Sequence, residues 1–176
     1  MILEFRYSRK SYFNLVGYSD SDCTGCTDDK RSTSRHIFSL VSGAISWSSK
    51  KQEVVAFSSS EVEYIVVASA ACQPVWLRRL LTNLHNAEQE ATVVFCDNKA
   101  TIAMTKNPAF YSGTKHIDIH YHFIWSLVLK REITLKFYGT NEQAADILTK
   151  SLPQAKHNYL RLKLGVCNFE ARGGVE

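Results

Sequence analysis

Four acidic residues with distinctive neighbours are spread over most of the 176-residue chain: Asp20, Glu63, Asp97 and Asp146. Asp20 and Asp97 each end an apolar run typical of a β-strand, whereas Glu63 and Asp146 stand at or near expected helix starts. If those strand ends and helix starts meet at one edge of a sheet, four carboxylates converge. Carboxylates repel one another, so the cluster needs a cation. Oxygen ligands suit hard divalent ions such as Mg²⁺, with Mn²⁺ as an alternative.

The strands that must position these acids are predicted from apolar and alternating runs. They cover Tyr12–Ser19, His36–Val41, Ala44–Ser48, Thr92–Cys96 and Glu132–Tyr138. Ser42 and Gly43 separate the second run from the third as a hairpin turn, so the first three strands are expected to form an antiparallel meander. A helical stretch joins the third strand to the fourth, which favours parallel pairing for the last two strands.

Helical spacing of apolar residues predicts five helical segments. They cover residues 58–84, 98–106, 115–129, 142–149 and 153–164. Pro74 lies inside the first and longest segment, and because proline lacks the backbone donor, we expect a kink or a break near Cys72 and Gln73. The elements together predict an α/β fold in which helices flank a five-stranded mixed sheet, with three antiparallel strands and then two parallel ones.

Composition predicts one globular domain of ordinary character, 45% hydrophobic and 22% charged. We expect the domain to span residues 12–166, between an N-terminal extension (1–11) and a frayed C-terminal tail (167–176). No apolar run approaches 18 residues, so no membrane partner is expected. The net charge of +4 suits a polyanionic partner, although it also fits a mildly basic solvated surface. Five scattered cysteines without a signal-peptide pattern predict a cytoplasmic location.

Ordered local strings of the sequence carry a resemblance to a known family. They are Gly17–Asp22, Asp29–Ser34, Ser46–Gln52, Glu61–Tyr64, Cys96–Asn98, Thr114–Asp118, Tyr121–Phe123 and Ala145–Lys150. Together they resemble the C-terminal ribonuclease H domain of copia-type LTR-retrotransposon Pol polyproteins, over almost the whole chain from about Phe13 to Val166. The resemblance implies a ribonuclease H-like fold, and it implies that the chain is a fragment of such a polyprotein.

The resemblance also implies an activity: endonucleolytic cleavage of the RNA strand of RNA–DNA hybrids during reverse transcription. It implies two Mg²⁺ ions bridged by Asp20 and Asp97, with Glu63 and Asp146 completing their coordination. The implied partners are the hybrid and the reverse transcriptase domain of the parent polyprotein, inside an intracellular retrotransposon particle. Helical spacing leaves Glu61 and Glu63 undecided as the ligand, and the resemblance favours Glu63.

Polar and basic residues beside the acids are candidates for nucleic-acid contact. Lys51, Lys99 and Lys115 could hold phosphates, which would make affinity fall steeply with salt. Asn98 could contact the 2′-hydroxyls that distinguish the RNA strand. His116 near a helix start is more simply a structural residue, and phosphate contact is its functional alternative.

The chain departs from the resembled pattern at several positions. Arg35 and His36 stand where the family usually has Gly and Tyr, and Cys23 stands where it usually has Trp. Such changes leave open a degenerate, catalytically weak or inactive domain that only binds nucleic acid. A transposase or integrase of the same superfold is a second alternative, disfavoured because the acid on the first helix, Glu63, comes second in the chain. A zinc module using Cys23 and Cys26 is a third, disfavoured because no second ligand pair follows at a standard spacing.

Overall fold

A computed structural model describes residues 3–8, 14–22, 32–52, 59–106, 115–139, 142–148 and 151–169. The strands in these ranges are β1 (Leu3–Phe5), β2 (Leu15–Asp22), β3 (Thr33–Leu40), β4 (Gly43–Lys51), β5 (Thr92–Cys96), β6 (Ile133–Phe137) and β7 (Val166–Asn168). The α-helices are α1 (Ser59–Asn83), α2 (Lys99–Lys106), α3 (Lys115–Leu129) and α4 (Gln154–Lys163), and a 3₁₀ helix spans Ala144–Leu148.

The main sheet has five strands in the order β4-β3-β2-β5-β6. Antiparallel pairing joins β2, β3 and β4, and β5 runs parallel to both β2 and β6. The predicted mixed sheet is confirmed, with β5 at its predicted bounds. Parallel neighbours need a crossover connection, and α1 provides it between β4 and β5.

Strand β2 differs from its prediction in a way that matters for the site. It runs from Leu15 to Asp22, so Asp20 lies within the strand instead of ending it. Pairing with β3 continues as far as Asp22 opposite Thr33, and this pairing rather than the apolar pattern sets where the strand stops. Part of the predicted strand, Tyr12 and Phe13, lies outside the described residues.

Helix α1 is continuous across Pro74, so the predicted break near Cys72 and Gln73 is wrong. A proline inside a helix costs about 3 kcal/mol through its missing donor and its ring clash. The helix buries a long apolar face that includes Tyr64 and Val67, and each fully buried side chain of this kind contributes about 1.5–3 kcal/mol. Tertiary packing therefore outweighs the local penalty. No helix in the described part of the chain is long and apolar enough to cross a membrane.

The two faces of the main sheet are covered to different depths. On one face α1 and α3 pack a large apolar core around Phe38, Tyr64 and Ile124. On the other face the 3₁₀ helix and the end of α4 cover a smaller cluster that includes Tyr18 and Ile37. The thinner side leaves room beside the strands for polar side chains.

A second, two-stranded sheet joins β1 to β7 in antiparallel pairing. Arg6 N donates to Gly165 O at 2.7 Å and Tyr7 Oη donates to Ala44 O at 2.6 Å, so the segment also contacts the β3–β4 hairpin. Gly165 has a φ of 74°, and a Cβ there would lie 2.9 Å from Arg6 O. The secondary structure of Cys167 and Asn168 thus differs from the frayed tail expected, while the domain bounds remain a prediction.

Candidate active site

The register between β2 and β5 sets the position of two candidate acids. Tyr18 opposite Phe95 is the last pair of the parallel ladder, and the same offset continued two residues, past the end of β5 at Cys96, brings Asp20 level with Asp97. Adjacent strands are about 4.8 Å apart, and Ser19 Oγ donates to Phe95 O at 3.2 Å across the gap. Asp20 is only 3% exposed, whereas Asp97 is half-buried. Both therefore stand at the carboxyl edge of the parallel strands, where α/β sheets usually bind ligands.

An aromatic layer lies beneath these acids. The rings of Tyr18 and Phe95 are 5.4 Å apart, and Tyr138 lies 4.5 Å from Phe95 and 6.1 Å from Tyr18. Residues two apart on a strand face the same side, so Asp20 projects from the same face as Tyr18. Burial, reinforced by the negative charge that Tyr138 would carry, raises the pKa of Tyr18 to about 12. Its hydroxyl therefore stays protonated at neutral pH and is unsuited to act as a base.

Asp146 reaches the same face of the sheet on a 3₁₀ helix, where the sequence predicts a longer helix over 142–149. The fully buried Gln143 donates from Nε2 to Ser19 O at 2.9 Å, directly beside Asp20. The backbone N of Asp146 in turn donates to Gln143 O at 3.2 Å. Gln143 therefore ties the Asp146 segment to β2. Sequence reasoning missed this residue, although a glutamine before two buried alanines was an available signal.

Asp146 faces a lysine. It is 1% exposed, and Lys156 Nζ donates to Asp146 Oδ2 at 2.7 Å, the length of a charge-assisted hydrogen bond. Lys156 stands in the first turn of α4, where a cation opposes the helix dipole. The carboxylate, rather than the helix, therefore accounts for the position of the ammonium. No sequence pattern indicates this pair.

Asp20 has a cationic neighbour across the antiparallel ladder. Arg35 of β3 pairs directly with Asp20, and directly opposed residues have Cβ atoms about 4.5–5.5 Å apart. Arg35 is 8% exposed, and its Nε donates to Ser49 Oγ at 3.3 Å. Arg35 thus begins opposite the most central acid of the site, while its buried guanidinium bonds toward β4.

Glu63 lies in the second turn of α1, and this helix packs against β2. The side chains of Glu61 and Glu63 are outside the described residues, so the choice between them stays a prediction. Gln52 Nε2 donates to Val62 O at 3.3 Å and to Ser34 Oγ at 2.9 Å. These bonds fix the start of α1 to the ends of β3 and β4, at the edge that carries Asp20.

Asn98 caps helix α2. Its Oδ1 accepts hydrogen bonds from Ala100 N at 2.9 Å and Thr101 N at 3.1 Å, the pattern of an N-cap. Asn98, and not Asp97, therefore supplies the N-cap of this helix. The Nδ2 group of Asn98 is left for the predicted nucleic-acid contact, which remains a prediction.

The predicted phosphate-binding residues lie at different strands and helices, and the structure describes the side chains of only some of them. Lys99 Nζ lies 4.8 Å from the centre of the Phe137 ring, which ends β6 at the same edge as Asp97. Lys51 is exposed at the end of β4, the outer strand on the opposite side of the sheet from β6. Lys115 and His116 begin α3, but their side chains lie outside the described residues.

The donor set suits a hard metal ion only in part. Asp20 and Asp97 offer oxygen ligands from adjacent strands, as such an ion requires. Among the described residues, however, no cluster of three or more His, Cys, Asp or Glu side chains could hold a metal. The Glu63 side chain is not among the described residues. At Asp146 the ammonium of Lys156 already bonds to one carboxylate oxygen. The alternative zinc ligands Cys23 and Cys26 lie outside the described residues.

Plant-transposon polyproteins are among the known sequences similar to this chain. No family model matches. A retrovirus-related Pol polyprotein from a Nicotiana tabacum transposon is 38% identical over 152 residues, covering 86% of this chain and 11% of the relative. One from Arabidopsis thaliana is 40% identical over 163 residues, covering 92% of this chain and 11% of the relative. The chain thus spans about a tenth of the length of these curated relatives.

Solved structures with a similar fold have low sequence identity. The N-terminal RNase H domain of a Mycobacterium tuberculosis protein has a TM-score of 0.55 at 12% identity, over 84% of this chain and 95% of that one. A ribonuclease H1 in complex with an RNA/DNA hybrid has 0.52 at 13%, over 76% and 91%. Prototype foamy virus protease–reverse transcriptase has 0.51 at 15%, over 91% of this chain and 21% of that one.

Proposed function

We propose that this chain, a homologue of part of plant-transposon Pol polyproteins with the ribonuclease H fold, cleaves the RNA strand of RNA–DNA hybrids. The observation that supports the proposal is the β2–β5 register, which ends with Tyr18 opposite Phe95 and, continued two residues, would bring Asp20 beside Asp97. Like charges on adjacent strands repel, so a fold without use for both acids gains nothing from this arrangement. A ribonuclease H1 with a similar fold was solved with an RNA/DNA hybrid, which supports the substrate class.

In the proposed reaction Asp20, Asp97 and Glu63 hold divalent metal, with Mg²⁺ as the expected ion and Mn²⁺ as an alternative, and Asp146 completes the set. Bound divalent ions supply an activated water and stabilise the charge on the leaving oxygen. The chain itself contributes rigid placement, because β2 and β5 are held by backbone pairing on both sides. The aromatic layer of Tyr18, Phe95 and Tyr138 excludes water from the underside of the acids.

The substrate would lie across the carboxyl edge of the sheet. Lys51 on β4 and Lys99 beside β6 place positive charge on either side of Asp20 and Asp97, as a polyanion that spans the edge requires. Lys115, His116 and the free amide of Asn98 are further proposed contacts. We place the reaction beside the reverse transcriptase of the parent polyprotein, in an intracellular retrotransposon particle. The similar fold within a viral protease–reverse transcriptase supports that context.

A labelled RNA–DNA hybrid tests the proposal. We expect internal cuts in the RNA strand that leave 5′-phosphate and 3′-hydroxyl ends, in Mg²⁺ but not in EDTA. Duplex DNA and duplex RNA of the same sequence are the matched controls and should stay intact. Cleavage that persists in EDTA, or that attacks duplex RNA equally well, would exclude a metal-dependent ribonuclease H.

A second candidate is a domain of this fold that binds the hybrid without cutting it. The observation that favours it is the pair of cations at the site, Lys156 on Asp146 and Arg35 opposite Asp20. Hybrid binding with an unchanged RNA strand in both Mg²⁺ and Mn²⁺ would support this candidate over the first.

A further inference from the structure

We infer that Lys156 is the resident cation of Asp146, that Arg35 adds a second positive charge opposite Asp20, and that a divalent ion binds these acids only against both charges. The inference rests on the proposed function and concerns how the site is neutralised when metal is absent. It assigns both residues a role in setting metal affinity.

The first support is the environment of Asp146. A carboxylate that is 1% exposed cannot stay ionised cheaply unless a positive charge or several donors compensate it. Lys156 Nζ supplies that charge at 2.7 Å from Oδ2. Its side chain is one quarter exposed, so the ammonium has a route out to solvent if another cation takes its place. The contact is therefore strong enough to compete and open enough to exchange.

The second support is independent and comes from strand pairing. Arg35 is buried at 8% exposure and lies directly across from Asp20, on the same face of the sheet. Arginine stays charged under all ordinary conditions, so its charge is permanent in this position. Its Nε donates to Ser49 Oγ of β4, so Arg35 acts on Asp20 through its charge. Asp146 and Asp20 thus each have positive charge nearby from a different element.

Competition follows from the coordination that a divalent ion needs. Mg²⁺ requires near-ideal octahedral geometry and short oxygen contacts, so an oxygen that already accepts from an ammonium is a poor ligand. A cation left within a few ångströms of the ion also repels it. A carboxylate held by the ammonium in nine of ten molecules has its apparent metal affinity lowered about tenfold.

Calorimetric titration of Mg²⁺ into the metal-free chain tests the inference without reference to cleavage. Lys156→Gln removes the charge and keeps a donor for Asp146, and we expect about tenfold tighter binding. Arg35→Gln should shift binding in the same direction. Lys130→Gln is the matched control, because Lys130 is exposed before β6, at the opposite edge of the sheet. It should change the affinity by less than about twofold, since exposed distant charges are screened.

A charge-retaining variant covers the case in which Lys156→Gln does not fold. Lys156→Arg keeps the cation beside Asp146, so Mg²⁺ should bind as in the wild type or more weakly. Metal-free thermal unfolding of Lys156→Gln, Asp146→Asn and the double variant gives a second readout. We expect the double variant to recover part of the melting temperature lost in Lys156→Gln, because the uncompensated charge is gone.

The outcomes separate this inference from the proposed function. Lys156→Gln and Arg35→Gln that bind Mg²⁺ no more tightly than the wild type overturn the inference, as does tighter binding by Lys156→Arg. Cleavage of the hybrid by the wild type would still support the proposed function in that case. A wild type that neither binds Mg²⁺ nor cuts, beside a Lys156→Gln variant that binds it, supports the inference and ends the proposed function. No binding by any variant overturns the inference, and the hybrid assay alone then decides the proposed function.

Discussion

The two ends of the main sheet use charged residues in opposite ways. At the end where β2 and β5 begin, Glu88 Oε1 accepts from Leu15 N at 3.0 Å. There Arg78 donates to the backbone oxygens of Glu88 and Glu90. At the end where these strands finish, Asp20, Asp97 and Asp146 stand near one another or near cationic side chains. We refer to these as the closing end and the site end.

The difference shows how to recognise a charge that serves the fold. At the closing end each charged group makes hydrogen bonds to backbone groups that would otherwise lack a partner in the connection between α1 and β5. Burial raises the pKa of Glu88, and the Leu15 N–H and Arg78 partly oppose that shift. At the site end Asp146 bonds to the Lys156 ammonium and Asp20 lies opposite Arg35 in the strand register. Acids that face charges instead of backbone are candidates for chemistry.

The largest expected effect separates the two ends by the same chemical change. Asp97→Asn should lower hybrid cleavage by at least about 100-fold, the order of loss when one preorganised electrostatic group is removed. Glu88→Gln should leave cleavage within about twofold, because an amide oxygen can still accept from Leu15 N. Initial rates on a labelled hybrid, with both variants checked for native melting, measure this. Equal loss in both variants would mean that the ends do not differ in function.

The second prediction concerns stability at the closing end. Glu88→Ala should lower the free energy of unfolding by about 1–3 kcal/mol, because it leaves a buried backbone donor at Leu15 without its acceptor. Glu88→Gln is the control and should lose much less. Urea unfolding at neutral pH measures both. An alanine variant as stable as the wild type would show that water replaces the carboxylate.

A third, smaller effect is expected at the joint between β2 and the 3₁₀ helix. Gln143→Leu removes the bond to Ser19 O and should cost about 1 kcal/mol, since a carbonyl with two lone pairs tolerates a lost donor better than an N–H tolerates a lost acceptor. Cleavage should fall more than this stability change alone implies, because the segment that carries Asp146 loses its hydrogen bond to β2. Gln154→Leu changes an exposed glutamine of α4 and serves as the control. Unchanged cleavage in a folded Gln143→Leu variant would remove Gln143 from the site.

The smallest effect tests a residue between the two ends. Burial lowers the pKa of His36 from its ordinary value near 6.5. A histidine with a lowered folded pKa binds fewer protons in the folded state, so its contribution is present above pH 6.5 and is lost as pH falls toward the folded pKa. His36→Gln should therefore lose less stability than the wild type between pH 7 and pH 5, by under about 1 kcal/mol. Parallel slopes of unfolding free energy against pH would contradict this.

The part of the fold that follows local periodicity could be predicted from the sequence. β5 and α3 have their predicted bounds, and the apolar runs before Asp20 and Asp97 indicated adjacent parallel strands. Asp20 and Asp97 were identifiable as candidates because an apolar run precedes each of them in the sequence. The predicted break at Pro74 was wrong because the rule for proline in a helix considers only the local backbone cost. Burial of apolar side chains along α1 outweighs that cost, and the helix continues.

The cations and the tether at the site could not be predicted for a different reason. Gln143 reaches Ser19 from 124 residues away, Lys156 reaches Asp146 from the next helix, and Arg35 meets Asp20 only through strand register. A lysine in the first turn of a helix reads from sequence as a solvent-exposed charge. Only the arrangement of α4 beside the 3₁₀ helix turns that lysine toward Asp146.

The pairing of β1 with β7 has a consequence for the order in which the structure forms and opens. Leu3 meets Asn168, a contact that closes nearly the whole chain into one loop. Loop-closure entropy grows with loop length, so this contact is more costly to form before the five-stranded sheet exists than after it. A pair of three-residue strands has little stability of its own. Amide hydrogens of β1 and β7 should therefore exchange through local opening, while those of β2 and β5 should exchange only through global unfolding.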